Sequence, residues 1–183
     1  MPQSPKLRCI AVLGIGTAHE KNSIYQQALQ LGQVLAQEGF SICHGGYGGV
    51  MEAVAKGCRS AGGQNTGITI MSLSNPTPGV GLAANPWADA EIRMPSWKER
   101  LFKLIEMGDA YVFLDGATGT LNELFFVWEM ANKKLLDKPI LLLGKRLHGL
   151  MKYLKKDPSL KIPHNLRVVS SIAQTIKLLR SEL

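Results

Sequence analysis

The stretch Ala110–Phe126, AYVFLDGATGTLNELFF, changes character twice. Its first five residues are an unbroken apolar run, with the length and composition of a strand buried on both faces. Asp115–Gly119 then supplies small residues and two glycines. From Leu121 onward, apolar residues recur at Leu124, Phe125, Trp128 and Ala131, the spacing of an amphipathic helix. Strand, glycine turn and helix in that order form the unit of a parallel sheet covered by helices. Thr120-Leu121-Asn122-Glu123 also fits the capping-box pattern, in which the Thr and the Glu satisfy each other's backbone donors. The same glutamate stands beside a turn open enough to receive a phosphate. Glu123 therefore carries two readings, helix cap and chemical group.

Outward from this stretch the unit repeats. Toward the N-terminus, Cys9–Leu13 reads as a buried strand ended by Gly14-Ile15-Gly16-Thr17. Ile24, Ala28, Leu31 and Leu35 follow at helical spacing, with Gly39 in the C-cap position. Phe40–His44 is the next strand, and Gly45-Gly46-Tyr47-Gly48-Gly49 is a dense glycine loop. Val50, Val54, Cys58 and Ala61 mark a second helix, stopped by Gly62-Gly63, and Thr66–Met71 is a third strand. Ser72–Pro95 carries four prolines and little periodicity, which reads as a long functional loop. Within it, Trp87 either stacks on a ligand or pins the loop to the core.

Ser96-Trp97-Lys98-Glu99 is a second capping box, opening a helix with Leu101, Leu104 and Ile105 inward and Gly108 at its end. Arg100 lies away from that apolar stripe. Toward the C-terminus, Pro139–Leu143 is a strand, Val168-Val169 a short edge strand, and 149–155 and 172–179 are helices. The expected fold is α/β: one Rossmann-like domain over residues 1–183, with a doubly wound, mostly parallel sheet and helices on both faces.

Composition narrows the function classes. Lys and Arg outnumber Asp and Glu by 21 to 14, giving a formal charge of +7. The basic residues are spread thinly toward the C-terminus, with no interleaved aromatic platform for bases, so a solvated face or attraction of small anions is expected rather than nucleic-acid binding. Cys9, Cys43 and Cys58 have no metal-like spacing and read as buried free thiols of a reducing cytoplasm. The opening MPQSPKLR lacks an apolar signal core, and no apolar run reaches membrane-spanning length. No metal and no cofactor are expected.

In an open parallel sheet, ligands bind beyond the carboxyl ends of the strands. The glycine turns at Gly14–Gly16, Gly45–Gly49 and Gly116–Gly119 each follow a strand, so they should share that edge. Glycines let backbone N–H groups approach phosphate oxygens, and helix N-termini favour anions. The dinucleotide fingerprint is incomplete, because Thr17-Ala18-His19 follows Gly16, and no P-loop Gly-Lys-Ser/Thr occurs. A nucleotide or sugar phosphate bound without the usual NAD or ATP machinery is the expectation. His44, at a strand end, either faces this site or is a satisfied strand-end imidazole.

Gly108–Gly144 resembles the PGGxGTxxE region of the LOG family, cytokinin-activating phosphoribohydrolases whose relatives often carry the label "possible lysine decarboxylase". His44–Gly63, HGGYGGVMEAVAKGCRSAGG, resembles that family's first nucleotide-facing loop and is still more similar to relatives that include the molybdenum-cofactor carrier proteins. The likeness runs from about Cys9 to about Gly144. It implies that Arg100 and Glu123 form a catalytic pair. It also implies a substrate site of Gly14, Gly16, Thr17, Gly45, Gly46, Gly48, Gly49, Glu52 and the run Asp115, Gly116, Ala117, Thr118, Gly119, Thr120.

The reaction implied is hydrolysis of a nucleoside 5′-monophosphate to free base and ribose 5-phosphate, with the base near Trp87 or Met94. The alternative is a carrier or sensor that binds a nucleotide or phosphorylated pterin without turnover. A homodimer or larger homo-oligomer is implied in either case. Decarboxylation finds no support, since no lysine sits in the three turns for a pyridoxal Schiff base. Two departures stand out. Asp115-Gly116-Ala117 replaces Pro-Gly-Gly, and Leu101 replaces the lysine that commonly follows the arginine. A carboxylate at 115 repels a phosphate unless it faces away or pairs with a cation.

Overall fold

Seven strands form one all-parallel sheet in the computed structural model, which describes residues 8–71 and 84–183. The strands are β1 (Cys9–Leu13), β2 (Ser41–His44), β3 (Asn65–Ile70), β4 (Ala90–Met94), β5 (Ala110–Phe113), β6 (Ile140–Leu142) and β7 (Leu166–Val168). The helices are α1 (Ser23–Gln37), α2 (Val50–Ser60), α3 (Trp97–Met107), α4 (Thr118–Asn132), α5 (Lys145–Leu154) and α6 (Ile172–Glu182). The strand order is β4-β3-β2-β1-β5-β6-β7, with every pair parallel.

Alternation along the central strands builds two cores. Ile10 and Val12 of β1, Ala110 and Val112 of β5 and Leu141 of β6 point to one face, packed by α1, α2 and α6. Ala11 and Leu13, Tyr111 and Phe113, and Ile140 and Leu142 point to the other, packed by α3, α4 and α5. Both sets are buried, which is why these strands read as continuous apolar runs rather than alternating ones. The chain winds outward from β1 to β4, returns beneath the sheet through α3, and enters β5 beside β1. The order therefore reverses between β1 and β5.

Two expectations change. Part of the long Ser72–Pro95 loop is β4, an edge strand in register with β3 from Thr66↔Ala90 to Ile70↔Met94. Its exposed face carries Glu91 and Arg93, which form an ion pair at 2.9 Å, so it lacks the apolar run of a buried strand. Residues 72–83, with the substrate-facing reading placed on them, lie outside the described residues. The second change concerns Thr120. Helix α4 begins at Thr118 with Ala117 at its N-cap, so Thr120 is already helical and cannot head a capping box. Leu121 N–H donates to Ala117 O at 3.1 Å, closing the first turn three residues earlier than the pattern suggests. At Ser96 the N-cap half of the box forms, with Glu99 N–H donating to Ser96 Oγ at 3.3 Å, while the Glu99 carboxylate accepts from Ser96 Oγ–H at 2.8 Å rather than from the Ser96 backbone.

Candidate functional site

The reversal of strand order opens a crevice at the carboxyl ends of β1 and β5, where open α/β sheets bind ligands. A cavity of about 340 Å3 occupies it. The turn after β1 lines it with Gly14, Gly16 and Thr17, and the loop after β2 with Gly45, Tyr47 and Gly48. The start of α4 adds Ala117, Gly119, Thr120 and Glu123, and α3 adds Trp97, Arg100 and Leu104. Three glycine turns thus do meet on one edge.

Arg100 decides the character of this cavity. It is 6% exposed and lies on the buried face of α3 with Leu104 and Ile105, so the expectation that it stands away from the apolar stripe is corrected. Its Nε–H donates to Ile68 O at 2.8 Å and its Nη2–H to Gly45 O at 2.8 Å. The guanidinium packs against two rings, 5.3 Å from the Tyr47 centroid and 5.1 Å from the Trp97 centroid. Gly45 has to be glycine for this, since a Cβ there would lie 2.0 Å from Nη2. The free edge of the guanidinium faces Glu123, with Nη1 3.9 Å from Oε1.

Glu123 lies one turn inside α4, on the face toward Arg100. Its side chain is 16% exposed. Burial pushes its carboxyl up to about 7, and the Arg100 charge opposes this without overcoming it. An ion pair at 3.9 Å is beyond hydrogen-bond length, which explains why burial wins. Burial also lowers the Arg100 pKa from the usual guanidinium value, again opposed by Glu123. The carboxyl is thus poised near neutrality.

The helix end beside them is free to bind. Helix α4 has no side-chain cap, so the N–H groups of Thr118, Gly119 and Thr120 lack intrahelical partners. Asp115, four residues before Gly119, does not line the cavity. Its carboxylate turns away and caps α5, accepting from Arg146 N–H and Leu147 N–H at 3.1 Å each. The acid that replaces proline in this turn therefore sits on another helix end. Gly144 makes room for it, since a Cβ at 144 would lie 2.2 Å from Asp115 Oδ1.

Other expected residues play supporting parts in the geometry. Gly46, Gly49, Glu52, Gly116 and Thr118 do not line the cavity. Gly46 and Gly49 have φ of +77° and +67°, and a Cβ on Gly49 would come within 2.3 Å of Ile15 O. They shape the loop rather than face a ligand. Glu52 accepts from the Tyr25 hydroxyl at 3.0 Å. Gly116 lies under Thr120, whose Oγ1 would be 2.0 Å from a Cβ at 116.

His44 is fully buried. Its Nδ1 accepts from Gly46 N–H at 3.1 Å, so the proton sits on Nε2, which donates to Asn65 Oδ1 at 2.9 Å. Burial lowers its pKa to about 4. It is the satisfied strand-end imidazole, holding the glycine loop. Trp87 pins its segment: its ring lies under Lys56 Nζ at 5.2 Å, and its backbone bonds to Asn85 and Asn65. Neither Trp87 nor Met94 lines the cavity, while Trp97, Tyr47 and Met51 do. Trp97 stands four residues before Leu101 and seven before Leu104, so by spacing alone it reads as the head of the α3 apolar stripe rather than as a cavity residue. Its one sequence signal for the cavity is its place three residues before Arg100, on the same helical face.

The sequence model of the SLOG cluster4 family matches residues 7–168. A protein of Archaeoglobus fulgidus is 30% identical over 143 residues, covering 78% of this chain and 88% of that one. A Mycobacterium tuberculosis protein named cytokinin riboside 5′-monophosphate phosphoribohydrolase is 30% identical over 120 residues, 65% of this chain. The match covers 62% of that longer relative. Among solved structures, the molybdenum cofactor binding protein of Rippkaea orientalis superposes with a TM-score of 0.73 at 25% identity, over 97% of this chain and 98% of that one.

Proposed function

We propose, because the chain belongs to the SLOG cluster4 family, that the cavity binds a nucleoside 5′-monophosphate and hydrolyses it to free base and ribose 5-phosphate. The observation that carries this reading is the Arg100–Glu123 pair, buried at one cavity wall beside the uncapped start of α4. A volume of about 340 Å3 suits one mononucleotide, near the lower end of small-molecule sites at ~300–1,000 Å3. The 5′-phosphate lies on the N–H groups of Gly119 and Thr120, where the helix dipole favours an anion. The ribose C1′ then lies toward Glu123.

Water attacks C1′ as the bond to the base nitrogen breaks, and positive charge builds on the ribose ring. Glu123 in its ionised form faces that charge and accepts the proton of the attacking water. The departing base takes up a proton, so one water is consumed for each base and ribose 5-phosphate formed. A carboxyl titrating near 7 is about half ionised at neutral pH, and Arg100 keeps it aligned. The excess of basic residues draws the anionic substrate toward the protein.

The likeness to the Rippkaea orientalis protein, which covers nearly the full length of both chains, favours a second reading. In it the same helix end holds the phosphate of a pterin-type cofactor and no bond is broken. Incubation with a panel of nucleoside monophosphates separates the two. Release of free base, reduced by ~100-fold or more in Glu123→Gln with helix content unchanged, is the expected result. Tight binding with no base released across the panel selects the carrier.

The fold leaves an apolar groove on the outer faces of α3 and α4, formed by Phe102, Phe126, Met130 and Leu135. Leu135 is 73% exposed and Phe102 43%. A second copy of the chain covering this groove is the oligomer we propose. Among the described residues, no helix is long and apolar enough to cross a membrane.

A further inference from the structure

Trp97 stands out among the cavity residues. It is 46% exposed, yet one side of its ring is held in place, by the Arg100 guanidinium at 5.1 Å and by the Tyr47 ring at 6.2 Å. Arg100 is itself fixed by Ile68 O and Gly45 O, and the Tyr47 hydroxyl accepts from Ile70 N–H at 3.0 Å. A large aromatic ring at a helix start has every reason to fold back onto apolar surface. Here it is instead braced from behind and left bordering the cavity. That is the arrangement of a stacking platform, rigid before the ligand arrives.

We infer that Trp97 is the surface on which the base of the substrate stacks, a positioning residue that sets the N-glycosidic bond against the Arg100–Glu123 pair. This rests on the nucleotide reading of the same cavity. Tyr47, Met51 and Leu104 line the cavity near Trp97, and the Tyr47 hydroxyl is already occupied. Among the described residues, then, this end offers flat and apolar contacts rather than hydrogen bonds to a base edge. Such a surface ranks bases by stacking area, because every base has a π face and a purine has the larger one. It distinguishes adenine from guanine weakly.

The position also connects binding to chemistry. Arg100 touches the Trp97 ring on one side and faces Glu123 on the other. A base stacked on Trp97, with its phosphate at the start of α4, places the N-glycosidic bond next to the Arg100–Glu123 pair. Stacking is therefore a positioning device as well as a source of affinity.

The test uses Glu123→Gln as the background, so that ligand is not consumed, and calorimetry with AMP, UMP and ribose 5-phosphate. AMP should bind ~10-fold or more tightly than UMP. Trp97→Leu should weaken AMP by ~10-fold or more, bring the AMP/UMP ratio close to one, and leave ribose 5-phosphate unchanged. Trp97→Phe should restore most of the AMP affinity. AMP should also quench tryptophan fluorescence in Trp87→Phe but not in Trp97→Phe. Unchanged AMP binding in Trp97→Leu overturns the stacking role and leaves the nucleotide site standing. Equal loss of AMP and ribose 5-phosphate makes Trp97 merely structural and also overturns it. Failure of the unmodified protein to bind either ligand overturns the nucleotide reading, and this inference with it.

Discussion

Glu123 lines the cavity and His44 stands one residue before Gly45, which also lines it, yet their pKa values are shifted in opposite directions. Glu123 binds its proton more tightly in the folded protein, with a pKa of about 7. Between about pH 4.5 and 7 the folded state therefore holds more protons than the unfolded one, and stability falls as pH rises. His44 is the reverse. Its folded pKa of about 4 lies below the ordinary value of about 6.5, so its contribution is complete above pH 6.5 and is lost as pH falls toward 4. Each effect amounts to about 3 kcal/mol. In the overlapping window they offset, and the unmodified protein should show a nearly flat stability profile from pH 4.5 to 6.5. Urea unfolding across that range should expose each alone. Glu123→Gln should gain stability with rising pH, and His44→Gln should lose stability with rising pH. Any pH-independent cost of either substitution shifts its curve without changing the slope.

Helices α1 and α2 show how a residue type reads differently once elements pack. Gly32 and Gly57 lie inside helices, where alanine normally stabilises by up to about 1 kcal/mol. Here the two helices approach with backbone against side. A Cβ on Gly57 would lie 2.0 Å from Leu29 O, and one on Gly32 would lie 2.2 Å from Val54 O. Gly57→Ala should therefore destabilise by about 1–3 kcal/mol or more, reversing the sign that propensity alone predicts. The midpoint of a urea transition measures it, and a gain in stability would mean the helices are free to separate. At this scale most of the fold was legible in the chain, because each buried strand is an apolar run and each turn carries its glycines. The edge strand β4 was not. An exposed strand of Ala90, Glu91, Ile92, Arg93 and Met94 buries too little to leave a pattern. The start of α4 was misplaced for a related reason. Thr120 and Glu123 match a cap motif, but the turn at Gly116 begins the helix at Thr118.

The whole molecule places the cavity at one edge and the apolar groove of α3 and α4 on an outer face. Leu135→Lys combined with Phe102→Glu should reduce the mass measured by light scattering from a multiple of the chain mass to the chain mass, with the far-ultraviolet spectrum unchanged. A single-chain mass for the unmodified protein would remove the proposed contact. Both the cavity and the groove depend on α3, which crosses beneath the sheet from β4 to β5. That crossing reverses the strand order and brings Arg100 over the end of β1.

The alternation of strands and helices and the common edge of the glycine turns were determined by the sequence itself. These follow from periodicity and turn residues, which are relations between near neighbours in the chain, whereas the pairing of Arg100 with Glu123 was implied by the resemblance to the LOG family. Only the tertiary structure decided that Arg100 is buried and pinned by Gly45, 55 residues away, and that Asp115 serves α5, 31 residues on. It also decided that Glu123 is poised near neutral pH and that Trp97, not Trp87, borders the cavity. Burial, side-chain direction and pKa arise from contacts between segments far apart in the chain, and they exist only once the sheet has brought those segments together.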